Sequence, residues 1–543
     1  MNPRNWSVSR RSFIGALGAA VAAQGCDRLS VQPIAAVSSR GSDRASVALE
    51  VRRRAAAQQR ARPIPADLTN GDENAYSDRC ACFSKGLPHD DDGHVDRQAY
   101  EALLKAIATG KTADFNAVPL GGNLKLTNVQ AAYAFTLQGA DSHHIGIAAC
   151  PPFASAESAA DMVEVYWQAV MRDVALDSLP SNAMALAAAQ DLSRLSAFSG
   201  PKKDGRVTPE LLFRGTAPGD AVGPYTSQFL FARVPHGVYG IEQQFRMPVA
   251  GLDYVTDRAA WLAQQRGAGA LSDLALQGEP RYMVTGRDLA RFVHRDYTFQ
   301  AFLNAALVLL SFGDNYLLPT PYLPRACAFS REFIAKEEGF STFGPAQVLD
   351  AVTAVANLAL RASWRQKWLL HRRLRPEVLA ARVDRTANHG KAYPIHRELL
   401  ASDVLNRLAG GNYLLPLAYP EGAPCHPSYP AGHAAIAGAC VTVLKAFFRT
   451  DATFPAPVRP SEDGRSLTPY EGHVTVGGEL NKLASNISIA RNFAGVHYRS
   501  DASEGLRLGE SVALSYLADM RQCMTEDFDA FTVDTLDGSV ITI

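Results

Sequence analysis

The sequence predicts an all-α protein of packed four-helix bundles with few short strands. Apolar residues recur at helical spacing in three long stretches: SAADMVEVYWQAVMRDVAL, RDLARFVHRDYTFQAFLNAALVLL and AQVLDAVTAVANLALRASWRQKWLL. Alternating strand patterns are scarce, and loops rich in Pro and Gly separate the helical stretches. The chain has 543 residues, which is enough to bury a large core.

The N-terminus has the form of a twin-arginine export signal, which we assign to residues 1–28. Arg10 and Arg11 lie in SRRSFIG, and the apolar run that follows is too short for a membrane span. We therefore expect no transmembrane helix and export to the periplasm or beyond the cell, with Cys26 as a candidate site of lipid attachment. Residues 29–78 are rich in Arg and Ala and predict a linker or loosely docked arm. Residues 79–543 predict a helical domain.

The formal net charge is zero, which argues against nucleic acid as a partner and favours a small ligand. The eight cysteines are irregularly spaced. Cys80 and Cys82 have no second Cys or His pair at zinc-ligand spacing, so we expect structural thiols or a disulfide.

A basic cluster precedes Pro376, which is expected to help end a helix. Five basic residues lie in the last predicted turns: Lys367, His371, Arg372, Arg373 and Arg375. Arg372 and Arg373 are interpreted as helix-end cations that the helix dipole stabilises. Lys367 and Arg375 lie within a quarter turn of one helical face, so we expect them to converge on one anion.

The loop HPSYPAGH, from His426 to His433, leads into an apolar run that predicts a helix. Gly432 permits close approach of the backbone to a ligand, and its N–H lies at the positive end of that helix. The stretch ARNFAGVHYRSD adds Arg491, His497 and Asp501. An arginine binds two oxygens of a tetrahedral anion, and a carboxylate one turn after a histidine orients its ring.

Together these blocks resemble the active-site signature shared by vanadium-dependent haloperoxidases and the acid phosphatases of the type 2 phosphatidic acid phosphatase superfamily. QKWLLHRRLRPE, HPSYPAGH and NISIARNFAGVHYRSD are most similar to the algal bromoperoxidase branch. FSKGLPHDDDGHVD, KLTNVQAAYAFTLQGADSH and MVEVYWQAVMRDV also resemble that branch, so the similarity runs from about Phe83 to Asp519.

The resemblance implies vanadate as the cofactor, bound within residues 360–505. Each matching residue then has an implied role: His497 binds vanadium, Lys367, Arg375 and Arg491 neutralise the vanadate oxygens, Gly432 donates its N–H, and His433 carries protons. Lys367 would also polarise the bound peroxide. Asp501 would support His497 from behind.

His426 falls where algal bromoperoxidases carry a second histidine and fungal chloroperoxidases an aromatic residue, which favours bromide and iodide over chloride. Trp364 also matches a tryptophan near the algal site, although a core tryptophan explains it equally well. Ala431 departs from the family pattern, which has Ser-Gly-His where this chain has Ala-Gly-His. The missing hydroxyl removes one hydrogen bond to the anion.

The implied reaction uses hydrogen peroxide to oxidise bromide or iodide to hypohalous acid, which halogenates a small organic acceptor. We also expect a homo-oligomer, a dimer or larger. Two alternatives remain open at this point: a phosphatase with His497 as nucleophile and His433 as the proton donor, and a non-catalytic exported protein that binds an oxyanion. The second alternative is weakened because simple binding needs no proton carrier.

Overall fold

The computed structural model describes residues 42–269, 272–323, 334–528 and 530–543. The predicted export signal, Cys26 and the start of the arm lie outside the described residues. Within them the chain is mainly helical, so the prediction of an all-α protein is confirmed. Of the helices that the structure describes, none is both long and apolar enough to cross a membrane.

The helices before the site are α1 Ser42–Ala61, α2 Asp72–Ala75, α3 Arg97–Thr109, α4 Thr112–Asn116, α5 Ala156–Val170, α6 Ala183–Arg194, α7 Arg258–Gln265, α8 Gly286–Phe292 and α9 Gln300–Ser311. The later helices are α10 Pro345–Arg365, α11 Pro376–His389, α12 Arg397–Leu400, α13 Gly432–Phe447, α14 Val476–Phe493 and α15 Arg499–Cys523. A π-helical turn, Gln366–His371, continues α10.

The strands form short two-stranded antiparallel sheets. They pair β1 Val234–His236 with β2 Tyr239–Ile241, β3 Phe245–Pro248 with β4 Leu276–Arg281, β5 Val458–Pro460 with β6 Leu467–Pro469, and β7 Thr532–Asp534 with β8 Val540–Thr542.

Helices α10, α13, α14 and α15 pack as a four-helix bundle. Helix α13 runs through its centre, and every residue of α13 except His433 is buried. A helix that is apolar on all sides is typical of such a central position. His433, the residue of α13 that is not fully buried, is one of the residues predicted for the site.

Small residues bring the backbones of α13 and α15 into contact. A Cβ atom at Gly438 would overlap Leu506 O, and a Cβ atom at Gly509 would overlap Ala435 O. The N–H of Ala431 donates to Asp501 O at 2.9 Å. The N-terminal ends of the two helices consequently lie side by side, which brings the loop before α13 next to the residues that begin α15.

The Arg- and Ala-rich arm contains α1, as its helix propensity suggests. Near the end of α1 the Gln59 side chain donates to the Asp519 carboxylate of α15 at 3.3 Å. This contact joins the arm to the helical bundle.

The cysteines that the structure describes are free thiols. Cys523 is exposed, and the others are buried: Cys80, Cys82, Cys150, Cys425 and Cys440. Burial raises the pKa of each buried thiol. For Cys80 and Cys82 this supports the structural-thiol alternative over a disulfide.

Candidate active site

The first turn of α13 begins inside the protein. Helix α13 starts at Gly432, as predicted, with Ala431 as its N-cap, and no described side chain caps its free N–H groups. A Cβ atom at Gly432 would lie 3.2 Å from a Leu360 methyl and 3.3 Å from the Trp364 ring, so the position is suited to glycine. A buried and uncapped helix N-terminus attracts an anion.

Lys367 lies in the π-helical turn and is fully buried. Its ammonium group donates to Pro427 O at 2.8 Å and to Ser428 O at 2.7 Å, so it supports the loop before α13. Burial lowers the pKa of Lys367 well below its ordinary value, and repulsion from Arg375 lowers the pKa further.

The expectation that Lys367 and Arg375 share one face of one helix is wrong. The chain leaves the π-helical turn at Arg372, which has a left-handed φ of 38°, and Arg375 is the N-cap of the next helix. Pro376 starts α11 instead of ending α10, because a proline in the first helical position gives up an N–H that would be unpaired there anyway. Lys367 and Arg375 still lie close enough to repel each other, although one precedes and the other follows the chain reversal at Arg372.

Arg375 connects two of the predicted histidines. Its Nη1 lies 3.0 Å from His497 Nε2 and donates to Val496 O at 2.7 Å. Its Nη2 lies 2.9 Å from His426 Nδ1, and its Nε donates to His426 O at 3.0 Å. Burial lowers the pKa of Arg375 to about 9.

His497 and Asp501 make the predicted contact. His497 Nδ1 lies 2.8 Å from Asp501 Oδ2. Because an ionised carboxylate only accepts hydrogen bonds, the proton belongs on Nδ1, and the lone pair is on Nε2, which faces the cluster of cations. Burial, followed by repulsion from Arg375, holds the pKa of His497 well below its ordinary value. The imidazole is therefore a neutral donor atom.

Arg491 is the third cation. Its Nη1 donates to Val293 O at 2.8 Å and to the Tyr419 hydroxyl at 3.3 Å, and the guanidinium lies over the Tyr419 ring. Its Nε is buried and has no hydrogen-bond partner among the described residues. A buried donor left unpaired in this way is costly unless a ligand accepts from it.

The residues present fit an oxyanion such as vanadate. Three buried cations repel one another here, since Arg375 and Arg491 both lower the pKa of Lys367. An anion would relieve that repulsion and accept from Arg491 Nε and from the first turn of α13. The described residues contain no group of three or more His, Cys, Asp or Glu side chains suited to a bare metal cation. One neutral imidazole among cations suits a metal that arrives as an oxyanion.

His433 has a carboxylate partner that the sequence did not reveal. His433 Nε2 lies 3.0 Å from Asp296 Oδ1, in the connection between α8 and α9. Burial alone would raise the pKa of Asp296, but the charge of His433 and their hydrogen bond bring it below its ordinary value. Asp296 lies 137 positions from His433, and no local motif marks it.

His426 and Trp364 are neighbours, with ring centroids 4.8 Å apart. The Trp364 indole N–H donates to Thr127 O at 3.2 Å, which fixes the ring beside Lys367. Burial and the nearby Arg375 hold the pKa of His426 well below its ordinary value, so this imidazole is also neutral. Trp364 thus lies at the site as well as in the core.

The expectation that Arg372 and Arg373 are helix-end cations is confirmed for Arg372 and wrong for Arg373. Arg372 forms an ion pair with Glu73. Arg373 is buried and pairs with Asp161 and Asp501. Arg372 is the C-cap of the π-helical turn and donates Nη1 to Trp368 O of that turn at 2.7 Å, whereas Arg373 lies beyond the end of the helix and is held by carboxylates.

Ala431 is fully buried and packs with Ala434, Ala502 and Leu506 in a small apolar cluster. The loop before α13 contains a serine, Ser428, that no sequence motif marks as part of the site. Ser428 donates its hydroxyl to Asp501 Oδ2 and lies 3.4 Å from His497 Nδ1. The sequence feature that could have identified Ser428 is its place inside HPSYPAGH, the loop predicted to lie at the anion site.

Comparison with known proteins places these features in context. A family model described as "VCPO second helical-bundle domain" matches residues 350–526. A vanadium-dependent bromoperoxidase of Corallina pilulifera is 33% identical over 92% of this chain and 98% of its own length. A vanadium-dependent bromoperoxidase of Ascophyllum nodosum is 33% identical over 86% of this chain and 87% of its own length.

The fold of a second vanadate-dependent bromoperoxidase from Ascophyllum nodosum, a homohexamer, is also similar. Its structure superposes with a TM-score of 0.84 and 28% identity, over 92% of this chain and 90% of that chain. The similarity therefore extends over nearly the whole chain.

Proposed function

Since this chain belongs to the family of vanadium-dependent bromoperoxidases, we propose that its buried site uses hydrogen peroxide to oxidise bromide or iodide. The protein is a haloperoxidase with vanadate as its cofactor. The observation that supports the residue roles best is the neutral His497, which presents Nε2 to three buried cations while Asp501 holds its other nitrogen. The halide, the organic acceptor and the role of each residue are parts of the proposal.

His497 would bind vanadium through Nε2, and Lys367, Arg375 and Arg491 would hold the oxygens. When bound, vanadate supplies a Lewis-acidic vanadium(V) centre that activates hydrogen peroxide without a change in oxidation state. The ammonium of Lys367 is fixed by two carbonyl groups, so its remaining N–H would polarise an oxygen in the site. Gly432 would donate its backbone N–H.

His433 would act as the proton carrier. Its Nε2 faces Asp296, so Nδ1 is the nitrogen left to take a proton from hydrogen peroxide and return it later. His433 is also the only residue of α13 that is not buried, which gives the proton a route to solvent. A site for binding alone would not need this imidazole and its carboxylate partner.

His426 and Trp364 would border the position from which the halide attacks. The neutral His426 is held by Arg375 and lies against the Trp364 ring. We infer bromide or iodide from the histidine at this position, together with a small organic acceptor. We also propose that the protein is exported through its twin-arginine-type signal and forms a homo-oligomer. The homohexameric relative supports the second of these proposals.

Removal and replacement of the cofactor tests this function. Protein stripped with phosphate at low pH should lose bromide- and peroxide-dependent bromination of a phenol-type dye and should regain it with orthovanadate. Excess phosphate should compete, because both anions are tetrahedral. Activity that survives stripping, or that returns with zinc or iron, contradicts the proposal. If the protein hydrolyses phosphate esters but brominates no dye with vanadate, the phosphatase alternative is correct.

A further inference from the structure

We propose that Arg373 is a positioning residue for the His497 imidazole. This inference rests on the proposed function, in which His497 binds vanadate. Arg373 itself reaches no part of the oxyanion site that the other cations form. It acts through a carboxylate and through the backbone of the loop before α13.

The guanidinium of Arg373 is clamped on both sides. Its side chain is only 3% exposed. Nη1 donates to Asp501 Oδ1 and to Ser500 Oγ, each at 2.8 Å, and Nη2 donates to Asp161 Oδ2 at 3.1 Å. The group also lies 3.9 Å above the centre of the Tyr498 ring. Asp161 belongs to α5, so Arg373 ties α5 to the start of α15.

Asp501 transmits this restraint to His497. Its Oδ2 accepts from His497 Nδ1 at 2.8 Å, from the Tyr498 N–H at 3.2 Å and from the Ser428 hydroxyl. Its Oδ1 is held by Arg373. With both oxygens fixed, the plane of the carboxylate is fixed, and so is the direction in which His497 presents Nε2.

Arg373 restrains the loop as well. Its carbonyl oxygen accepts the Ser428 N–H at 3.0 Å, and the Ser428 hydroxyl donates to the same Asp501 carboxylate. One residue therefore sets the position of Asp501 by its side chain and that of Ser428 by its backbone. Ser428 also provides a carbonyl that holds Lys367.

The chemistry of arginine is needed for this task. A planar guanidinium offers donors in a fixed fork and can bridge two carboxylates, whereas the single ammonium of lysine cannot reproduce that geometry. The conservative substitution Arg373→Lys should keep the buried charge but release the orientation of Asp501.

The chain offers a matched control in Arg287. Its side chain is also 3% exposed, and it also bridges two aspartates, Asp173 at 2.6 Å and Asp253 at 3.0 Å. None of its hydrogen-bond partners is a residue of the site. Arg287→Lys therefore shows the effect of disturbing a buried, bridging arginine outside the site, with aspartate partners that are 35% and 24% exposed.

The experiment is a titration of the full-length apo protein with orthovanadate, with bound vanadium measured after equilibrium dialysis, beside thermal unfolding of each apo variant. Loss of a group that supports a metal ligand typically costs about 10- to 100-fold in affinity. We expect Arg373→Lys to raise the vanadate dissociation constant by about that factor. Arg287→Lys should also lower Tm but should leave the vanadate dissociation constant within about twofold of the wild-type value.

Several outcomes overturn the inference. The inference is wrong if Arg373→Lys folds and binds vanadate as tightly as wild type. It is also wrong if Arg287→Lys loses as much vanadate affinity as Arg373→Lys. If Arg373→Lys does not fold, Asp161→Asn decides, because it weakens one anchor of Arg373 while keeping the shape of the side chain. An unchanged affinity in that variant also refutes the role. If wild type itself fails to bind vanadate, the proposed function fails instead, so the two failures are distinguishable.

Discussion

Substitution of Ala431 by serine tests how this site differs from the family pattern. Ala431 is the N-cap of α13 and is fully buried, beside the glycine whose N–H is expected to face vanadate. A hydroxyl placed there has two possible partners. It can donate to an oxygen of the anion, or it can accept from a free N–H in the first turn of α13.

The two partners predict different magnitudes in different measurements. A hydrogen bond to a charged group contributes about 1.5–3 kcal/mol. At about 1.4 kcal/mol for each factor of ten, Ala431→Ser should then lower the vanadate dissociation constant by about one to two orders of magnitude. A hydroxyl that caps the helix would instead stabilise the apo protein by about 1 kcal/mol and leave vanadate affinity unchanged. We expect the first result.

The assay is equilibrium dialysis of apo wild type and variant against orthovanadate, followed by bromide and iodide kinetics at saturating vanadate. Turnover need not rise, because a bond that stabilises every state equally lowers no barrier. Ala502→Ser is the control, since it puts a hydroxyl into the same apolar cluster from α15 instead of from the N-terminus of α13. Unchanged affinity in a folded Ala431→Ser variant would refute our account of this loop, and a raised Tm in the apo protein would assign the hydroxyl to the helix cap.

Two further predictions concern the proton carrier and a buried lysine. His497→Ala should abolish vanadate binding and activity, whereas His433→Ala should keep vanadate bound and slow peroxide activation; equal loss of vanadium in both variants, measured by dialysis, would contradict the assigned roles. Lys445 is buried in α13, and its ammonium has no hydrogen-bond partner among the described residues. Burial lowers the pKa of Lys445 from 10.5 to about 8, so between these values the unfolded chain binds more protons and stability rises with pH. Lys445→Met should therefore raise the free energy of unfolding by about 3 kcal/mol below pH 8, and this gain should vanish above about pH 10.5. Denaturant unfolding at several pH values measures the gain, and a gain that does not change with pH would refute this explanation.

Local chemistry explains what could be predicted from the sequence. The start of α13 at Gly432 follows from a stiff loop and a long apolar run. The predicted contact of His497 with Asp501 is also present, although His497 lies just before the N-cap of α15 and not one turn earlier in the same helix. The overall helical class follows from periodicity, which is summed over many residues and so tolerates local errors.

The parts that could not be predicted depend on long-range packing or on irregular backbone. Asp296 meets His433 only because the connection between α8 and α9 packs beside the start of α13. Arg373 was mistaken for a helix-end cation because a π-helical turn and a left-handed Arg372 leave no trace in hydrophobic spacing. Pro376 was likewise assigned to the wrong helix, since proline both follows helices and begins them.

The burial and protonation of the cysteines affect how well this enzyme resists oxidation by its own product. Hypohalous acid attacks sulfur, and a thiolate reacts far more readily than a protonated thiol. The buried cysteines are shielded from solvent and have raised pKa values, which keeps them protonated near neutral pH, even Cys425 directly beside His426. Among the cysteines of the described residues, oxidation should begin at Cys523, whose thiol is exposed at the end of α15, far along that helix from the vanadate-binding end. Oxidation of Cys523 would therefore be detectable before the residues of the vanadate site were damaged.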